Sequence, residues 1–261
     1  MSTTFAAGEE KWRARLGTLR QVVRQELVSR QLAEQVPDRP RRRILDVGCG
    51  QGTQLLGLAR RGHDLTGLDS SAELLADLDR SLSAEPPALR DRVRLVHGDA
   101  LAVAAEFEAG QFDVVLCHGV LMYFQDPAPL LAALATVTAP GGLVSLLVRN
   151  GDALAMRPGL RGDWAAATDG FGAVTYQNRI GVQARADRRA ELTAQLRACH
   201  LIVRRWYGVR VFADQAADDA PVPEAWALEQ LLACEEQAGR SDPYRSVAAL
   251  LHVIAQRTPP G

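Results

Sequence analysis

Residues 41–71, RRRILDVGCGQGTQLLGLARRGHDLTGLDSS, place a strand, a glycine-rich turn, a helix and a second strand ending in an acid within a single short stretch. Ile44 to Val47 form the short apolar run of a buried strand. Gly48, Gly50 and Gly52 follow at once, and Leu55, Leu56, Leu58 and Ala59 then recur at helical spacing. Gly62 closes that helix, as a glycine just past the last turn commonly does. Asp64 to Leu68 form the second strand and deliver Asp69 to its carboxyl end. Glycines after a strand let the backbone turn tightly and let a ligand approach main-chain N–H groups. An acid at the tip of the next parallel strand can accept from both hydroxyls of a ribose. The unit therefore predicts a nucleoside-bearing cofactor held across a parallel sheet.

The turn departs from the dinucleotide fingerprint G-x-G-x-x-G, in which the third glycine packs helix on strand and the helix N-terminus faces a pyrophosphate. Here the run is Gly48-Cys49-Gly50-Gln51-Gly52, and Thr53 stands at the third glycine's place. Asp46, just before the turn, would repel a pyrophosphate and suits a cationic ligand such as an ammonium or a sulfonium. LDVGCGQG resembles the first motif of the Rossmann-like S-adenosylmethionine (SAM) methyltransferases, and Asp69, followed by Ser70, resembles their ribose-binding acid.

Further along, strands are expected at 43–47, 64–68, 93–97, 112–117 and 143–149, alternating with helices at 53–61, 71–83, about 102–108 and 127–138. That alternation predicts an α/β fold, a doubly wound, mostly parallel sheet with helices on both faces. The resemblance implies seven strands. Residues 151–180 are glycine-rich and irregular, suiting a lid, and are followed by a helix at 187–198, strands at 201–206 and 208–212, a helix at 223–237 and a strand at 250–257. The expectation is one domain, with an N-terminal helical segment to residue 38, a SAM-binding core over 39–150, a lid insertion over 151–185 and C-terminal elements over 186–257.

Two strand tips offer further contacts. VRLVHGDAL ends in Asp99, Ala100 and Leu101. In SAM enzymes an acid there accepts from the adenine amino group; Asp is equally a preferred helix N-cap. FDVVLCHGVLMYF ends its apolar run in His118. That histidine can serve as a general base near neutral pH, or as a neutral wall against the cofactor.

A formal charge of −1 gives no global case for nucleic acid, and the basicity is almost wholly arginine, Lys11 being the one lysine. The four cysteines (49, 117, 199 and 234) lack C-x-x-C spacing, so reduced thiols and no metal site are expected. No signal-type apolar core opens the chain and no run approaches a membrane span, so the expectation is a soluble, cytoplasmic protein with no membrane partner.

GTLRQVVRQEL, YGVRVFAD, SDPY and LHVIAQR together resemble the CmoM family of tRNA 5-carboxymethoxyuridine methyltransferases, a likeness running from about residue 16 to 257. It implies that Arg20 holds the cofactor carboxylate, with Gly48, Cys49, Asp69, Ala100, Leu101 and His118 completing the SAM contacts; Asp46, Gly50, Ser70 and Asp99 are further cofactor-binding candidates, and on the residues alone Arg20 reads as a solvated helix face. The departures fall where the acceptor is chosen. The family's lysine-rich stretch is replaced by GAVTYQNRIGVQ, and the aromatic before Asn150 is replaced by Arg149. The expected acceptor atom is an oxygen: a carboxylate, which Arg149 and Arg210 are the candidates for orienting, or an alcohol, for which His118 is the candidate base; its bearer is either a tRNA nucleotide or a small molecule. The arginines available to compensate for the missing lysines are 157, 161, 179, 185, 188, 189, 204, 205 and 210.

Overall fold

The computed structural model describes residues 17–178 and 180–258. The start of the expected N-terminal helical segment (1–16) and Arg179 lie outside them. Seven strands form one sheet: β1 (Arg43–Val47), β2 (Asp64–Asp69), β3 (Val93–His97), β4 (Phe112–His118), β5 (Thr138–Arg149), β8 (Leu201–Val209) and β9 (Leu250–Arg257). The order across the sheet is β3-β2-β1-β4-β5-β9-β8. The first five strands pair in parallel, and β9 runs antiparallel to both β5 and β8. A hairpin, β6 (Thr175–Gln177) with β7 (Gln183–Arg185), stands apart from the sheet.

Among the described residues six helices reach eight residues or more: α1 (Leu19–Gln35), α2 (Thr53–Arg60), α3 (Ala72–Ser83), α4 (Ala128–Val137), α5 (Arg189–Ala198) and α6 (Ala225–Arg240). They divide the core in two. Leu130, Leu131 and Leu134 of α4, with Leu192 and Leu196 of α5, pack on one face of the sheet. Leu27 and Leu32 of α1, Leu55 of α2, Leu78 of α3 and Leu232 of α6 pack on the other. Each leucine that is fully buried contributes roughly 1.5–3 kcal/mol of transfer free energy, so both layers are strongly held. No helix among the described residues is long and apolar enough to cross a membrane.

Three expectations need correction. The two late strands are one, β8, whose register slips between Val203 and Arg205; that irregularity and Gly208 break the periodicity that marks a strand. Residues 151–180 are not irregular but fold into short helices at Met156–Leu160 and Trp164–Gly170 and the first strand of the hairpin. β5 begins at Thr138, five residues early, because the Pro140-Gly141-Gly142 turn is absorbed as an irregularity opposite Phe112 and Val114.

Candidate functional site

The carboxyl ends of β1, β2, β3 and β4 meet at a cavity of about 120 Å³ lined by Gly48, Gly50, Asp69, Ser70, Asp99, Ala100 and His118, among others. The turn that floors it is pinned to β2: the N–H groups of Gly48 and Cys49 both donate to the Leu68 carbonyl, at 2.7 and 3.2 Å. Gly48 has φ +72°, and a Cβ there would lie 2.2 Å from Val120 Cγ2, so only glycine fits. Asp69 is buried, and its two oxygens accept from the backbone N–H groups of Gly50 (2.7 Å) and Ser71 (2.9 Å). Those bonds fix the carboxylate at the cavity wall. Asp99 accepts from the N–H of Leu101 at 2.9 Å, so the capping role exists, and its residue also lines the cavity. Leu101 is exposed and does not line it.

The helix-packing task of the missing third glycine falls to another strand. A Cβ on Gly67 of β2 would meet Leu55 Cδ1 at 2.6 Å and Cys49 Sγ at 2.9 Å. Cys49 is accordingly a packing residue, its thiol pushed far above the ordinary range by burial and by Asp46 and Asp69.

A smaller cavity of about 70 Å³ adjoins the first and is lined by Asp46, Cys49, Arg24 and His118. Asp46 is 4% exposed, and its pKa is pushed up to about 7, first by burial and then by Asp69. Among the described residues it has no hydrogen-bonding or ion-pairing partner, so the buried carboxylate matches the cationic end of an aminoacyl sulfonium. Arg24 complements it. This half-buried guanidinium likewise has no acidic partner among the described residues, and it lines both cavities and a third beyond them. Burial, then Arg210, pull its pKa down to about 10. An unpaired buried acid beside an unpaired arginine, next to a carboxylate poised for a ribose, is the donor set that SAM requires.

Arg20, expected at the cofactor carboxylate, sits elsewhere. It is 5% exposed, bonds Asp214 at 3.2 Å and Asp218 at 3.0 Å, and does not line the 120 Å³ cavity. Arg24 lies four residues further on the same helix face, which was the available signal.

His118 ends a buried relay. Its Nε2 lies 2.8 Å from Ser145 Oγ, Ser145 Oγ lies 2.8 Å from His252 Nε2, and His252 Nδ1 lies 2.6 Å from Gln31 Oε1. With the Gln31 oxygen accepting, His252 donates from Nδ1, Ser145 donates to His252, and His118 donates from Nε2. Burial, then His252 and Arg24, hold His118 well below its usual pKa, and burial takes His252 down to about 3. His118 is therefore neutral and a poor base.

The third cavity, about 390 Å³, opens beside Gly119 and is lined by Arg20, Arg24, Arg149, Arg157, Arg210 and Asp214, together with Tyr123 and Tyr176. Arg149 at the tip of β5 and Arg157 both lie 3.9 Å from Asp214, and Arg210 lies 3.4 Å from it. Arg210 lies just past the end of its strand, so strand alternation does not orient it. Arg210 follows β8 with φ +61°, a left-handed conformation costly for any non-glycine residue, and is 9% exposed. Glu235 of α6 holds the bend, accepting from the N–H groups of Val211, Phe212 and Ala213 at 2.6–3.0 Å. Asp214, Arg24, Glu235 and the Ser145–His252 pair escaped the sequence reading; the acid four residues after Arg210 was the one local clue.

A nucleoside cavity at the switch between β1 and β4, beside a second cavity for a reactant, is the layout of a group-transfer enzyme that uses a nucleoside cofactor. The methyltransferase-domain family matches residues 45–146. The crystal structure of 1,6-didemethyltoxoflavin-N1-methyltransferase from Burkholderia thailandensis, with its bound 1,6-didemethyltoxoflavin and S-adenosylhomocysteine, superposes with a TM-score of 0.60 at 18% identity, covering 98% of this chain and 85% of that one. The chain is a class I SAM-dependent methyltransferase. Over 92% of its length and 89% of the relative's, it is 29% identical to the tRNA 5-carboxymethoxyuridine methyltransferase of Escherichia coli K12. A ubiquinone biosynthesis O-methyltransferase from Psychrobacter cryohalolentis is 43% identical, over 42% of this chain and 41% of that protein.

Proposed function

We propose that this methyltransferase esterifies a carboxylate, with Arg149 and Arg210 orienting the acceptor in the 390 Å³ cavity. The observation that carries the reading is the concentration of arginines in that cavity, where the one lining carboxylate among the described residues, Asp214, is engaged by those same arginines. An alcohol acceptor would need deprotonation. Burial first holds His118 well below its usual pKa, which makes it a weak proton acceptor, and burial raises the tyrosine phenols, Tyr123 to about 12 and Tyr176 in the same direction. Asp46 does not line the cavity. A carboxylate is ionised at neutral pH and needs no base, only cations to place it.

When bound, SAM supplies an electrophilic methyl group: the acceptor oxygen gains it and the C–S electron pair stays on sulfur. On this reading Asp69 takes the ribose, Asp99 and Ala100 the adenine, Asp46 the ammonium and Arg24 the carboxylate. Gly48, Gly50 and Ser70 shape the floor, and His118 is a wall. Arg–carboxylate pairing by two parallel bonds fixes position and plane together, and orientation is most of what an in-line displacement asks of an enzyme.

The full-length similarity to a tRNA-modifying enzyme favours a modified wobble uridine as the bearer of that carboxylate. A second observation favours a small acid. Arg157 and Arg210 turn inward, Arg185 and Arg188 are paired with Asp187 and Asp152, and Arg189 lies over Trp206. They do not form the phosphate-tracking surface that tRNA binding uses. The experiment is to incubate the protein with methyl-labelled SAM and cell extract, with and without RNase, then treat the product with mild alkali. Label released as volatile methanol marks a carboxyl ester. Alkali-stable label sinks the carboxylate reading, and RNase sensitivity decides between the two bearers.

A further inference from the structure

The arginine cavity holds more positive charge than one carboxylate answers. Arg20, Arg149, Arg157 and Arg210 gather on a single buried acid, Asp214, at 3.2–3.9 Å. Asp218 adds a second carboxylate from the rim, half exposed, within 3.5 Å of Arg157. Glu235, close enough to Arg210 to act on it, is committed to three backbone N–H groups. Four guanidiniums thus contact two carboxylates among the described residues, Arg24 of the same cavity being the arginine assigned to the cofactor. The Nε atoms of Arg20, Arg149 and Arg210 are buried and have no acceptor. Buried, unanswered donors of this kind cost free energy unless a ligand satisfies them. Arg149 is further fixed by lying 5.3 Å from the centre of the Tyr176 ring, so the cluster is held open without an added anion.

We propose that the acceptor is a dianion, a carboxylate that carries a second negative group, carboxylate or phosphate, both enclosed by these four arginines, with Asp214 as the resident counter-ion that the ligand supplements. The inference rests on the reading that this cavity receives the acceptor. Two negative charges match the surplus of two. Planar guanidinium forks suit carboxylate and phosphate alike, which is why the second group is named only by its charge.

The test is calorimetric titration of the protein, loaded with S-adenosylhomocysteine, using acetate, malonate, inorganic phosphate and uridine 5′-monophosphate at constant ionic strength. Malonate or phosphate should bind at least about tenfold more tightly than acetate, a difference of roughly 1.4 kcal/mol. Uridine monophosphate binding more tightly than both would place the second group on a nucleotide; weaker binding would place it on a small free acid. Arg157→Met should erase the preference for dianions. Asp214→Asn should act in the opposite direction, strengthening dianion binding several-fold because the competing internal charge is gone, and a merely misfolded variant would not do that. Equal affinity for acetate and malonate, or no binding of either, overturns the proposal, as does weakened binding in Asp214→Asn. None of these outcomes depends on turnover, so the proposal can fail while the alkali-labile ester stands, and the ester can fail while dianions still bind.

Discussion

Asp46 is a carboxylate that folding makes hard to ionise, its pKa raised from the ordinary range to about 7 by burial and Asp69. Because the folded pKa exceeds the unfolded one, the folded protein holds the extra proton between about pH 4 and 7. Stability from this group is therefore lost as pH rises through that window. His118 and His252 act in the opposite sense: their folded pKa values are depressed, so their contribution is present above the unfolded histidine pKa and fades as pH falls below it. An Asp46→Asn variant isolates the first effect. It should raise the thermal midpoint at pH 8, with up to ~4 kcal/mol as the bound set by a shift of about three units, and change little at pH 4. In the native protein SAM should release protons on binding at pH 7, seen as a calorimetric enthalpy that varies with the buffer's ionisation enthalpy. Asp46→Asn should abolish that variation; its persistence would remove Asp46 from the cofactor's cationic end. The placement of Asp46 and Asp69 at the cavity walls was legible in the sequence because their positions follow from spacing within one strand–turn–helix–strand unit. Arg24 was not, because its neighbours come from β4, β8 and the insertion, and no local spacing carries that meeting.

At the scale of elements, the junction of β8 with α6 shapes the 390 Å³ cavity, where the acceptor is proposed to sit. Gly208 and Gly239 let strand and helix touch: a Cβ on Gly239 would lie 2.4 Å from the Gly208 carbonyl oxygen. That contact brings Glu235 beneath the turn at residues 211–213 and holds Arg210 in its left-handed conformation. Glu235→Gln keeps the size but offers one accepting oxygen, stranding at least one buried N–H. A loss of about 1–3 kcal/mol in urea unfolding is expected, together with weaker acceptor binding and unchanged SAM affinity. Loss of SAM affinity instead would mean that the two cavities are not built separately. The sequence pattern found four of the five parallel strands to within a residue, because each is a short β-rich run bounded by turn residues, and missed only the start of β5. It misjudged β8 and the insertion, where a register slip, a left-handed arginine and tertiary contacts override periodicity.

For the whole molecule, the N-terminal strands make the 120 Å³ cavity, while α1, the insertion and the antiparallel strands close the 390 Å³ cavity. The relay from Gln31 through His252 and Ser145 to His118 spans both halves. Gln31→Leu, which does not touch His118, should therefore disturb that ring's tautomer. Nitrogen chemical shifts of His118 should report a protonated Nε2 in the native protein and a mixture in the variant. Identical shifts in both would cut the relay at its first bond. The near-neutral net charge gave no sign of the buried positive centre, because composition averages over the surface ion pairs that surround it. That centre also bears on how a cycle ends. On the proposed carboxylate reading, esterification would erase one negative charge from the acceptor just as the sulfur loses its positive one, so each product would be held less firmly than the reactant it came from. Asp214, already within reach of all four arginines, would then be the anion that reclaims them, and departure of the proposed ester would be driven by the same chemistry that made it.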